Sequence, residues 1–158
     1  MNEVVYKDVQ ISQLAKRLGP SKTTVTNIWN EYTGKIISKI EAGETVKFLN
    51  ICYLRVNSRD LKKGEGYHET LAFISHEIAD KLSLSQTVVY RVLTSFEEYL
   101  ILDLQKSYSY SIRGICRIRL ELYGGKYRVR IKKSTKYNAE DVYVSTISTF
   151  KRKVEVAV

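Results

Sequence analysis

The chain has 158 residues, 44% of them hydrophobic, and carries 26 Lys and Arg against 17 Asp and Glu for a net charge of +9. This balance suits one or two small globular domains and excludes a disordered tail. The longest apolar runs, such as Leu100-Ile101-Leu102, fall far short of the roughly 20 residues of a bilayer span, and the first residues lack the apolar core of a secretion signal, so a soluble, non-secreted protein is expected. Two cysteines cannot build a disulfide framework, and His68 and His76, eight residues apart, lack the cysteine or paired-acid support of a metal site. No metal, cofactor or redox chemistry is therefore expected. The excess of positive charge points to nucleic acid or an anionic surface as partner.

Taken in order, Ile11, Leu14, Ala15 and Leu18 form a stripe at helical spacing that Gly19-Pro20-Ser21 interrupts. Ser21 is an N-cap candidate for a second, longer helix. Along it Val25, Ile28, Trp29, Tyr32, Ile36 and Ile40 hold one face until Gly43 offers a C-terminal stop. The period then changes to two, with Val46, Phe48, Leu54 and Val56 on one side of a strand pair that turns near Asn50.

Shifted by 64 residues, Leu14 to Val56 aligns without a gap on Ile78 to Leu120. Nine positions are identical, among them Ala15/Ala79, Leu18/Leu82, Ser21/Ser85, Val25/Val89, Cys52/Cys116 and Arg55/Arg119. The apolar pattern keeps the same register at Ile28/Val92, Trp29/Leu93, Tyr32/Phe96 and Phe48/Ile112. A second long helix, from Ser85 to about Lys106, and a second strand pair turning at Gly114 follow from the match. Glu97-Glu98 reads as the solvent face of that helix, and Cys52 and Cys116 as small residues packed beneath the sheet.

Past the repeat, Arg113 to Lys136 holds nine Lys and Arg and one acid, Glu121. Gly124-Gly125 between two alternating runs predicts a two-residue hairpin turn, since both glycines tolerate positive φ. Pairing outward sets Leu122 opposite Tyr127, Glu121 opposite Arg128, Leu120 opposite Val129, Arg119 opposite Arg130, Ile118 opposite Ile131 and Arg117 opposite Lys132. One face becomes apolar and the other cationic. Like charges directly opposite each other are destabilising without a counter-charge, so the face calls for an anion, and phosphate is the natural one.

This order of elements resembles the HU/IHF family of bacterial and phage DNA-binding proteins. The resemblance lies in the helix-turn-long-helix unit around Leu14 to Lys22, in Ala42 to Phe48, and in Leu49 to Val56 with its counterpart Arg113 to Leu120. The last two are similar to the family's Gly-Phe-Gly turn, with Gly114 matching its first glycine, Asn50 departing from it, and Cys52 and Cys116 replacing the second. The resemblance implies an α+β fold in which two halves intertwine their long helices beneath a saddle of strands with basic arms. Carried by one chain, it implies a single-chain pseudodimer. Residues 1–57 would be a truncated first half without an arm, 58–69 a linker, and 70–158 a second half with a basic hairpin and a C-terminal helix, Thr149-Phe150-Lys151-Arg152-Lys153. The hairpin turn is too short for a long arm, and Pro20 is the chain's single proline, so sharp bending by an inserted wedge is not expected.

The mechanism expected is phosphate-dominated, largely sequence-independent binding of double-stranded DNA, as in nucleoid-associated proteins that compact or bend it. Arg117, Arg119, Arg128, Arg130, Lys132 and Lys133 would neutralise phosphates, with Arg113 and Lys136 at the ends of the basic run. Arg55 would extend the surface across the pseudo-twofold, and Lys151, Arg152 and Lys153 would meet flanking phosphates. Five or six contacts predict a log-log salt slope near −5, from about −0.9 per phosphate. Tyr123, Tyr127 and Tyr137 interleave with the bases and also suit ordinary strands. The setting implied is cytoplasmic and nucleoid-associated, in a bacterial or phage-infected cell, or in a virion, and self-association of two such units stays open.

Two rivals differ in class. A helix-turn-helix regulator would use the Ala15, Gly19, Val25 spacing and read bases with Lys22, Thr23, Thr24, Thr26 and Asn27, or with Gln86, Thr87, Tyr90 and Arg91. A phage structural or assembly protein would use the same fold to pack against protein, and charge placement should then be irrelevant. An enzyme finds no support, because no Gly-rich phosphate loop, nucleophile-base pair or carboxylate cluster occurs.

Overall fold

Gly19 ends one helix and Ser21 starts the next. Its hydroxyl accepts from the Thr24 amide at 3.1 Å, while Gly19, at φ +97°, supplies the left-handed residue that reverses the chain. Helix α1 (residues 14–18) thereby gives way to α2 (Lys22–Glu41), which buries Val25, Ile28, Trp29, Tyr32, Ile36 and Ile40. Gly43, at φ +82°, stops α2, with the Glu44 amide bonded to the Lys39 carbonyl and the Gly43 amide to that of Ile40. The same grammar recurs in the second copy. Ser83, the equivalent of Gly19, is left-handed at φ +57°, and Ser85 caps α4 by accepting from Val88 at 3.2 Å.

The structure, a computed structural model, describes residues 14–56, 70–107, 109–112, 115–133 and 142–156. Ile11, the linker at 58–69 and Gly114 lie outside the described residues. After α2 come β1 (Val46–Phe48) and β2 (Cys52–Val56), then α3 (Leu71–Leu82), α4 (Gln86–Ser107), β3 (Ser109–Ile112), β4 (Cys116–Tyr123), β5 (Lys126–Lys133), β6 (Val142–Thr146) and α5 (Ser148–Val156). The chain is α+β, with five helices and two three-stranded antiparallel sheets, β1-β2-β6 and β3-β4-β5, among the described residues.

The two sheets share one register. Lys47 faces Tyr53 and Phe48 faces Cys52 in the first, and 64 residues on Ser111 faces Arg117 and Ile112 faces Cys116 in the second. Their third strands differ in origin. In the second sheet β5 returns directly from β4 through the glycine turn, whereas β6 pairs with β2, Cys52 facing Thr146 and Arg55 facing Tyr143. Read from the sequence, the stretch after Asp141 belonged to the second half; its strand completes the sheet of the first.

One hydrophobic cluster joins both copies. Trp29 of α2 stacks on Phe96 of α4 with 4.1 Å between ring centroids, and Tyr32 lies 5.7 Å from Phe48. Phe150 and Val154 anchor α5 in the same core. The turn between β1 and β2 is held by side chains from both long helices. Leu49, not Asn50, takes the positive φ there, at +47°. Its amide donates to the Tyr32 hydroxyl at 2.7 Å, and the Asn50 amide donates to Glu97 Oε1 at 2.8 Å. Glu97 is therefore buried at this turn rather than on the solvent face of α4, where it accepts from the backbone of the other copy. Glu98 remains outside and meets Arg17 at 3.4 Å.

Candidate nucleic-acid interface

The hairpin of β4 and β5 alternates strictly between buried and exposed residues as far as Leu120, and its register is the one that the Gly124-Gly125 turn dictates. Both glycines take positive φ, +59° and +80°, as a two-residue turn of the mirror-image type requires. Leu122 opposes Tyr127, and Tyr123 opposes Lys126 next to the turn. Cys116, Ile118, Leu120 and Val129 face the core, and Ile131 packs against it. Beyond Leu120 the hairpin outruns the core, leaving Leu122 64% and Tyr123 75% exposed. The edge of β5 is held midway by α5, where Glu155 Oε2 accepts from the Val129 amide at 2.8 Å.

The outward positions form cross-strand rows. Arg117 stands between Ser111 and Lys132, Arg119 between Ser109 and Arg130, and Glu121 opposite Arg128. Arg117, Arg119, Arg128, Arg130 and Lys132 are all exposed, and Ser109 and Ser111 are half-buried. Glu121 is the one acid on these rows, and its Oε1 lies 3.3 Å from Arg130 Nε. An exposed pair of this kind contributes about 0–1 kcal/mol, too little to relieve Arg119/Arg130 and Arg117/Lys132 standing opposite each other. Ligand phosphates would supply the missing charge, through short charge-assisted bonds that Arg makes in a bidentate way.

The structure thus brings five of the expected residues onto one face. Lys133 is in register with Cys116, on the alternate set of positions from Lys132, and Arg55 sits on β2 opposite Tyr143; both are placed by backbone register. Lys151, Arg152 and Lys153 are exposed on α5, so they form a patch on the helix and not on the sheet. Arg113, Lys136 and Tyr137 lie outside the described residues. Tyr127 shares the inward set with Leu122, whereas Tyr123 is outward at the tip. Charge counting missed Ser109 and Ser111, which the repeat could have found as the equivalents of Thr45 and Lys47.

The equivalent rows of the first sheet are less charged. Tyr53 stands where Arg117 does, between Lys47 and Ser145, and Arg55 faces Tyr143 where Arg119 faces Arg130. One sheet is strongly cationic on its outward rows and the other is mixed. Comparison of the chain with family models, curated proteins and solved structures finds no match to any of them.

Proposed function

We propose that the chain is an architectural, largely sequence-independent double-stranded DNA-binding protein, built as an HU/IHF-like single-chain pseudodimer. The observation that carries the reading is the outward face of the β3-β4-β5 sheet, with six Lys and Arg exposed against one Glu, Lys126 at the tip among them, and like charges directly opposite each other. Such a face is under strain that a polyanion relieves, and sugar-phosphate backbones bind through counterion release without reading sequence. The pseudodimer part of the reading is supported by the common register of the two copies' first strand pairs and by their shared core. Lys151, Arg152 and Lys153 would add contacts to flanking phosphates.

The test is affinity for unrelated duplexes over a range of salt, comparing the unaltered protein with Arg119→Ala/Arg130→Ala. Binding should be similar for all duplexes, fall steeply with salt and weaken in the double variant. A flat salt response would remove the phosphate mechanism, and strong preference for one sequence would favour a helix-turn-helix regulator. No binding to any duplex would favour a structural or assembly role.

A further inference from the structure

The two inner rows of the cationic face have the same make-up. Ser111, Arg117 and Lys132 form one, and Ser109, Arg119 and Arg130 form the next, each a hydroxyl, a guanidinium and a second cation in line across three strands. The third row, Glu121 with Arg128, has no net formal charge, and Glu121 reaches back to Arg130 of the inner row at 3.3 Å. We propose that each inner row holds a single phosphate, so that the sheet engages two consecutive phosphates of one DNA strand; this rests on the DNA-binding reading above.

The spacing argues for it. Successive outward residues on a strand are about 6.7 Å apart, twice the strand rise, close to the separation that one sugar and its ester links impose between neighbouring phosphates. Across a row the side chains start only about 4.5–5.5 Å apart at Cβ. That is too close to give each cation its own phosphate on one backbone. It is also narrower than the roughly 6 Å opening of a minor groove, whose two phosphate rails lie farther apart still. Directly opposite cations therefore converge on one anion, which is the arrangement that turns their mutual repulsion into attraction. The serine hydroxyl at the end of each row is an uncharged third donor to the same oxygens. Glu121 limits the track on the hairpin-tip side, because it repels a third consecutive phosphate.

The experiment measures anisotropy of a labelled duplex of mixed sequence against NaCl concentration, and reads the slope of log affinity on log salt. Arg119→Gln/Arg130→Gln should reduce the magnitude of the slope by about 0.9, one phosphate. Adding Arg117→Gln/Lys132→Gln should reduce it by about 0.9 again. Either single variant of a row should lose affinity with a slope close to the unaltered protein's, because its row partner still neutralises the phosphate. Arg119→Lys/Arg130→Lys should keep the slope, and Ser109→Ala/Ser111→Ala should weaken binding without changing it. All these side chains lie on the outward rows, and circular dichroism checks that each variant keeps its fold. A drop of about 1.8 from one row would mean two phosphates per row and would overturn the inference, as would an unchanged slope; either leaves DNA binding itself standing. Failure of the unaltered protein to bind at low salt would remove both.

Discussion

Cys52 and Cys116 are neighbours, both buried in the core. They are equivalent positions of the two copies, each beginning the middle strand of its sheet. The two copies therefore meet at equivalent positions, the first residue of each middle strand.

Hydrogen bonding to Cys116 and burial push the Cys52 thiol well above its ordinary value and keep it protonated. Because the thiolate is the nucleophile, Cys52 should resist alkylation in the folded protein at neutral pH and react once denaturant is added. Mass spectrometry after iodoacetamide treatment checks this, and rapid native labelling of Cys52 would contradict the packing.

Alkaline pH should destabilise the fold. Burial raises the Tyr32 phenol, against the opposing effect of the Leu49 amide, and Cys52 is raised as well. A raised acid binds its proton more tightly in the folded state. Its contribution is therefore complete below the unfolded-state value and declines as pH climbs past 9.0 for the thiol and 10.0 for the phenol. Thermal melts from neutral pH upward should show a falling Tm in that window. Tyr32→Phe should flatten part of the fall while costing about 1–3 kcal/mol at neutral pH, since the Leu49 amide loses its buried acceptor.

Glu97→Ala should likewise cost about 1–3 kcal/mol by leaving the Asn50 amide without its partner, or roughly 2–4 °C of Tm per kcal/mol in a chain of this size. Glu98→Ala, one residue on and exposed, should cost less, about 0–1 kcal/mol or at most roughly 4 °C in the same melt, as loss of a surface ion pair predicts. Equal effects from the two would contradict the buried placement of Glu97.

Glu121→Gln should strengthen DNA binding severalfold at low salt. It removes the acid on the cationic rows and releases Arg130 from its 3.3 Å contact. The gain should shrink as salt rises, because exposed charges are screened over about 8–10 Å near physiological ionic strength. Anisotropy titrations at two salt concentrations check both statements, and weaker binding would show that Glu121 orients Arg130 rather than competing for it.

The helices and the hairpin were legible because local rules governed them. Ser21, Ser85 and Gly43 mark helix ends by chemistry of their own, and the glycine pair at 124 and 125 fixes a register in which Arg119 must meet Arg130. What depended on distant partners was not legible. Val142–Thr146 is a short alternating stretch whose role is decided by the open edge of β2. Glu97 sits beside Glu98 and reads like it, and only the amide of Asn50 distinguishes them. At the candidate site the charged residues announced themselves, while Ser109 and Ser111 became visible through their strand pairing.

Because β6 closes the sheet that β1 and β2 open, β2 must wait for a strand that is translated only after α3, α4 and the β4-β5 hairpin before its backbone is satisfied. Until then β2 carries a bare edge on the nascent polypeptide, a long-range dependence that slows folding and invites mispairing between neighbouring chains on a polysome.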